Sequence, residues 1–170
     1  DLGLQREQVE PVLGEQTGVH VSEVDYIIEG DSAPATELPN PPPTEVDEAV
    51  ARLIAGEIED GDCLQIGIGG MPNAVCSLLS GSGVHDLGIH TEMLTDGIMD
   101  LYQAGRITGA RKQLNPGKIV CTFALGSRRL YDGIDRNPDI HFYPVDYTNL
   151  PHNIMRNDRV IAINNTTQID

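Results

Sequence analysis

Short apolar runs alternate with amphipathic stretches along this chain, and glycine and proline mark the joins between them. Cys63 to Ile68 is short and mostly apolar, as a buried strand is. Gly67, Gly69 and Gly70 then allow a sharp backbone turn or a close approach to a ligand. Pro72 suits the first turn of a helix and Gly81 its end, with Ala74, Val75, Leu78 and Leu79 on one face. Leu87 to His90 predicts a second strand, whose carboxyl end carries Thr91 and Glu92. Upstream, Thr44 with Asp47 three residues on signals a helix start. Val46, Ala49, Val50, Leu53, Ile54 and Ile58 recur there at helical spacing, and Gly61 closes the helix.

Downstream, 97–104 reads as a short helix ended by Gly105, and 107–117 as a basic, polar connection. Lys118–Ala124 predicts a strand, Ser127 the cap of a helix through about Asp135, and Ile140–Tyr143 another strand. Asn149–Arg156 is a loop or short helix, and Val160–Ile163 the last strand. No internal repeat is visible. The alternation predicts an α/β fold, a mostly parallel sheet flanked by helices.

Before Thr44 the pattern weakens. Residues 1–18 are polar with little period, and His20–Glu29 ends in a strand-like apolar run, Tyr26 to Ile28. Residues 31–43 hold five prolines and read as an extended linker. The expected division is therefore 1–30 as the tail of a preceding domain, 31–43 as linker, and an α/β domain from 44 to 170. A chain of 170 residues is long enough for one domain with a real core. It begins at Asp1 rather than methionine, so a piece of a longer protein is expected.

Charge narrows the possible partners. The net charge of −15 argues against nucleic acid and anionic membrane surfaces. Lys112 and Lys118 are the only lysines among eleven basic residues, a balance that fits a salt-adapted source or GC-rich codon bias equally. No run is long and apolar enough to predict a membrane span. Cys63, Cys76 and Cys121 are scattered in apolar runs without a CxxC pair, which predicts three reduced core thiols in a cytoplasmic protein. Histidines 20, 85, 90, 141 and 152 show no metal-ligand spacing, so no metal site is expected.

Several groups could carry chemistry. In open parallel sheets ligands bind at the carboxyl ends of the strands. The glycine turn after Ile66 would bring free backbone amides there, although a tight strand-to-helix connection needs glycine in any case. Glu92 would reach the same rim, where a glutamate is ordinarily a solvated surface residue. A dinucleotide fingerprint fails, because Pro72 stands where the third glycine belongs. Ser127 lacks a GxSxG context, so a serine hydrolase is unsupported. Arg111, Lys112, Lys118, Arg128 and Arg129 are the cations available to an anionic substrate, or else a solvated basic face.

GIGGMPNAV followed by GIHTEMLTDG resembles the class I coenzyme A transferases, in particular the acetyl-CoA hydrolase/transferase group with its 4-hydroxybutyrate and butyrate:acetate CoA-transferases. VSEVDYIIEGD, TEVDEAVARLI, NPGKIVCTFALGSRRLYDGIDRNP, YPVDYTN and NDRVIAINN match in the same order and extend the resemblance over nearly all residues from Val21 onward. It implies that 44–170 is the first part of a C-terminal CoA-transferase domain. HTEM sits where the family carries its catalytic glutamate, which makes Glu92 the nucleophile. A carboxylate, ionised at neutral pH, can attack a thioester and keep the acyl group activated, first as a mixed anhydride and then as a glutamyl-CoA thioester.

The resemblance further implies that Gly67, Ile68, Gly69, Gly70, Met71, Pro72 and Asn73 contact the thioester and pantetheine arm, with Asn149 a weaker match to a CoA-contacting asparagine. A second oxyanion motif of GxGG type lies further downstream in the family, beyond Asp170, so the isolated piece is expected to be inactive. The implied substrates are acyl-CoA and short carboxylates, with no permanently bound cofactor and a homo-oligomer as the full-length form. Two alternatives stay open: an acetyl-CoA hydrolase using the same glutamate, and a catalytically silent domain that binds acyl-CoA or a partner.

Overall fold

A computed structural model describes residues 13–14, 17–30, 34–38 and 40–166. Among these residues eight strands and six α-helices alternate: β1 (Leu13–Gly14), α1 (Glu45–Ala55), β2 (Cys63–Ile66), α2 (Gly70–Ser80), β3 (Gly88–His90), β4 (Met93–Leu94) and α3 (Asp96–Gln103). The second half follows with β5 (Ile119–Cys121), β6 (Phe123–Ala124), α4 (Arg128–Ile134), β7 (Ile140–Phe142), α5 (Val145–Thr148), α6 (Pro151–Ile154) and β8 (Val160–Ile163). Six strands form one sheet in the order β1-β7-β5-β3-β2-β8, and each neighbouring pair is parallel. β4 and β6 form a separate parallel pair. The expected α/β architecture with a mostly parallel sheet is what the chain adopts.

Strand alternation separates two faces. Leu64, Ile66, Ile89, Ile119, Cys121, Ile140 and Ile163 join one core with Val75, Leu79, Ile98, Leu101 and Leu130 of the helices. α1 packs on α2, α2 on α3 and α3 on α4, forming the layer over that face. Cys63, His90 and Val120, one residue out of phase, are equally buried but stand outside that core. On their side the His90 Nε2–H donates to the Thr148 carbonyl at 2.7 Å, which ties α5 to the sheet.

Several expectations need correction. Tyr26–Ile28 forms no strand: the three residues are almost fully exposed, and no edge among the described residues pairs with them. β1 was not expected, yet it pairs with β7 at the sheet edge. The 118–124 run splits, because the Thr122 and Phe123 N–H groups both donate to the Glu92 carbonyl (2.8 and 3.2 Å) and turn the chain into β6. α1 has its capping box at Thr44 and Asp47, but it ends at Ala55 with Gly56 as its cap. Gly61 instead adopts φ +84 in the turn before β2. Of the apolar stripe on α1, Ile58 just beyond it is buried and Ile54 half-buried, whereas Val46 and Leu53 are exposed. Ala51 is the residue the helix buries against its neighbours.

Residues 34–38 and 40–43 carry neither helix nor strand and are mostly exposed, but they are anchored. The Leu38 N–H donates to the Gly126 carbonyl at 3.0 Å, and the Tyr131 hydroxyl to the Thr36 carbonyl at 2.8 Å. The start of α4 thereby holds the proline-rich stretch against the domain.

Candidate active site

All six strands of the main sheet are parallel, so their carboxyl ends share one rim. β3 and β8 flank β2. The chain runs from β2 through β3 and β5 to β7 and then crosses to β8, so strand order reverses beside β2. In open α/β sheets that reversal is where ligands bind.

The glycine turn occupies this position. The Gly67 N–H donates to the Ile163 carbonyl at 2.8 Å, the last bond of the β2–β8 ladder. Gly69 then adopts φ +124 and ψ 177, a conformation that L side chains rarely adopt. A Cβ there would also stand 2.2 Å from the Asn165 side-chain nitrogen, which donates to the Ile68 carbonyl at 2.9 Å. At Gly70 a Cβ would meet the Asp47 carboxylate at 2.6 Å, so the turn fits tightly against the start of α1.

α2 starts without a side-chain cap. Its first backbone bond is Asn73 N–H to the Gly69 carbonyl, 3.2 Å. The N–H groups of Ile68, Gly69, Gly70 and Met71 have no acceptor among the described residues, and Pro72 has none to offer. Four open donors and the positive end of the helix dipole therefore face the rim together.

Glu92 follows the adjacent strand β3. Its side chain is exposed and has no hydrogen-bond or ion-pair partner among the described residues. Its backbone is fixed from both sides. The Glu92 carbonyl accepts the two bonds from Thr122 and Phe123. Thr91, buried at 1% exposure, accepts from the Ile66 N–H at 3.3 Å and donates to the Ile66 carbonyl at 3.2 Å. One hydroxyl thus bridges the residue before Glu92 to the residue before Gly67. A carboxylate without a partner among the described residues is presented from a hydrogen-bonded base, one strand away from four amides that have no acceptor among them.

A cavity of about 350 Å³ adjoins the turn. Ile68, Gly69 and Asn73 form one side, and Leu38, Asn40 and Pro41 of the proline-rich stretch another, with Thr95 and Leu125 completing the lining. A buried carboxylate holds this arrangement together. Asp96, 4% exposed, accepts from the Asn40 amide at 2.8 Å, from the Ser127 N–H at 2.8 Å and from the Ser127 hydroxyl at 2.6 Å. Asn40 in turn accepts from the Asn73 amide at 3.2 Å. Ser127 is indeed the residue before α4, but its hydroxyl serves Asp96 rather than capping the helix.

Not every sequence-predicted group joins the site. Asn149 is exposed at the end of α5 and lines neither this cavity nor the one around Tyr143 and Tyr147. Lys112 is not a surface cation: it is 5% exposed, and its ammonium donates to the Ile89 and Lys118 carbonyls, both at 2.8 Å. Burial lowers its pKa to about 8. Arg111 pairs with Asp86, Arg128 with Asp132, Arg129 with Asp100, and Lys118 with the Pro138 carbonyl. The three cysteines are buried free thiols. Burial raises Cys63 to about 11 and Cys76 to about 12, so neither is a nucleophile at neutral pH. No group of metal-binding residues occurs among the described residues, and none of their helices is long and apolar enough to cross a membrane.

The contacts of Asn40 and Asp96 escaped the sequence reading, and Thr91 was placed at the strand end without its bond to Ile66. Thr91 carried the one usable signal, its place beside Glu92. Asn40 was hidden in a proline run, and Asp96 stood one residue before the expected helix 97–104.

Residues 126–170 match the acetyl-CoA hydrolase/transferase C-terminal domain. The chain is 51% identical over 154 residues to a succinyl-CoA:cyclohexane-1-carboxylate CoA transferase of Geobacter metallireducens, covering 89% of this chain and 34% of that protein. It is 46% identical over 158 residues to a butyryl-CoA:acetate CoA-transferase of Anaerostipes caccae, covering 92% and 35%. The chain is homologous to CoA-transferases of the acetyl-CoA hydrolase/transferase group. RipA from Yersinia pestis shares its fold with a TM-score of 0.88 at 42% identity, over 94% of this chain and 36% of that one. A 4-hydroxybutyrate CoA-transferase from Porphyromonas gingivalis superposes with a TM-score of 0.82 at 44% identity, over 91% and 38%. The chain thus spans about a third of the length of the curated relatives it matches.

Proposed function

We propose that the full-length protein transfers coenzyme A between a short-chain acyl-CoA and a small carboxylate, with Glu92 as nucleophile. The observation that supports this reading is the Thr91–Ile66 bridge, which ties the strand end before Glu92 to the strand end before the open amides of Ile68 to Met71. The Glu92 carboxylate attacks the thioester carbonyl. The C–S bond breaks, leaving a mixed anhydride and CoA thiolate. The thiolate attacks the glutamyl carbonyl, the anhydride C–O bond breaks, and the first acid departs as its carboxylate. The product is a glutamyl-CoA thioester. An incoming carboxylate attacks that thioester and expels the thiolate. The thiolate then takes the new acyl group and frees Glu92. Charge and atoms balance at each step, with no redox change and no proton transfer.

The amides at the start of α2 serve the oxyanion that each attack creates. Loss of one such donor typically costs about 3 kcal/mol of barrier. On this reading coenzyme A is a substrate and no cofactor stays bound. The residues from 44 onward form the first part of the transferase domain, with 1–30 a preceding tail and 31–43 the connection between them. The working place is the cytoplasm, in keeping with three buried thiols.

The test is exchange by the full-length protein, supplied with butyryl-CoA and labelled acetate. Label should enter the CoA thioester. Release of free CoA without exchange would identify a hydrolase instead, and neither outcome would leave a binding domain.

A further inference from the structure

The cavity beside the glycine turn has an unusual wall. Leu38 and Pro41 belong to a stretch whose composition predicts only a connection, yet they line the same space as Ile68 of the turn and Leu125 after β6. Four aliphatic side chains thus meet there, and no charged side chain among the described residues lines the cavity. Such a lining suits an uncharged hydrocarbon tail and disfavours a phosphate or a free carboxylate. The volume of about 350 Å³ lies at the small end of ligand cavities.

The wall is held rather than draped. Asn40 is bonded to Asp96 and Asn73, Leu38 to Gly126, and Glu37 accepts from the Arg128 N–H at 3.1 Å. A fixed wall can discriminate by size, which a loose one cannot. Thr95 adds a second mark of a built site. It lines the cavity, is 6% exposed, and its hydroxyl has no partner among the described residues.

Resting on the transferase reading above, we propose that this cavity receives the acyl chain and that Leu38, Pro41 and Leu125 set the chain length accepted. The thioester carbonyl then sits at the open amides, and the hydrocarbon tail extends between the glycine turn and the proline-rich stretch. The same pocket serves the acceptor acid in the second half-reaction, so one wall selects both substrates.

The test uses the full-length enzyme and compares kcat/KM for acetyl-, butyryl- and hexanoyl-CoA, each with labelled acetate as acceptor and read as label entering the CoA thioester, so that the degenerate acetyl exchange is measured too. One methylene in an apolar pocket is worth about 10-fold or more. Leu38→Ala and Leu125→Ala should each raise the hexanoyl-to-butyryl ratio by about tenfold or more. Leu38→Phe should lower the butyryl-to-acetyl ratio by a similar factor. Both leucines are only half-buried, so truncation leaves the core intact. Formation of the Glu92 adduct from acetyl-CoA is read in the same samples. Adduct formation with unchanged ratios in all three variants overturns the pocket assignment and leaves the transferase reading standing. A wild-type enzyme that forms no adduct removes both.

Discussion

Thr91 and Glu92 divide the work of one short turn. Glu92 supplies a free carboxylate, and Thr91 fixes where it starts from. Glu92→Gln should therefore fold with native stability, because an exposed near-isosteric change costs little. It should nonetheless abolish exchange, since an amide is not a carboxylate nucleophile. Thr91→Val keeps the Glu92 carboxylate and removes the bridge. We expect kcat to fall by about 100-fold with a smaller change in KM, the mark of a misplaced reacting group; an unchanged kcat would show that the bridge does not position Glu92. The place of Glu92 at a strand end was legible in the sequence, whereas the contacts of Asp96 were not. Its role depends on Asn40, 56 residues away, and on Ser127, 31 residues away. No local pattern encodes such a meeting.

Lys112 gives a second prediction at this scale. The folded side chain titrates near 8 and an unfolded lysine near 10.5. Between those values the unfolded chain holds the extra proton, so stability rises with pH across that window, and below pH 8 the whole penalty is present. The penalty at neutral pH is on the order of 3 kcal/mol. Relative to Lys112→Met, the wild-type chain should gain about 2 kcal/mol between pH 7 and pH 9.5, read from urea unfolding. A difference that stays flat over this range would mean that the ammonium is hydrated in the fold.

Elements were more legible than their ends and their exposures. The capping box of α1 is sequence-local, and it forms: Thr44 Oγ1 accepts from the Asp47 N–H at 3.2 Å, and the Asp47 carboxylate accepts from the Thr44 N–H at 2.8 Å. Thr44→Ala should cost about 1 kcal/mol in denaturant unfolding. No measurable loss would show that α1 is held by its packing on α2 alone. Helical spacing marked an apolar stripe on α1, but spacing does not say what will cover it, and the helix buries Ala51 instead. Among the described residues nothing covers Val46 or Leu53, at 71% and 75% exposure. The break between β5 and β6 was hidden for a different reason. The run from Lys118 to Ala124 is mostly apolar and strand-like, and it is diverted where the Thr122 and Phe123 N–H groups both donate to the Glu92 carbonyl.

The whole molecule shows why the site lies where it does. Successive strands step away from β2 on one side and the chain returns on the other, so the turn after β2 opens where the strand order reverses. The strand–helix alternation made the parallel sheet legible, but its strand order was not, because β8 meets β2 across 97 residues of chain. A net charge of −15 surrounds this frame. Self-repulsion of that size destabilises a compact chain and is screened by salt. Raising NaCl from 10 mM to 0.5 M should therefore raise the melting temperature, and a fall would show that ion pairs outweigh net repulsion.

The most direct measurement follows the covalent bond itself. The full-length enzyme is treated with acyl-CoA in the absence of acceptor acid, reduced with borohydride, digested and examined by peptide mass spectrometry. The expected result is a modified peptide at Glu92 that is missing from Glu92→Gln. Wild-type exchange in that variant, or modification of another acid such as Asp86 or Asp96, would contradict Glu92 as the nucleophile.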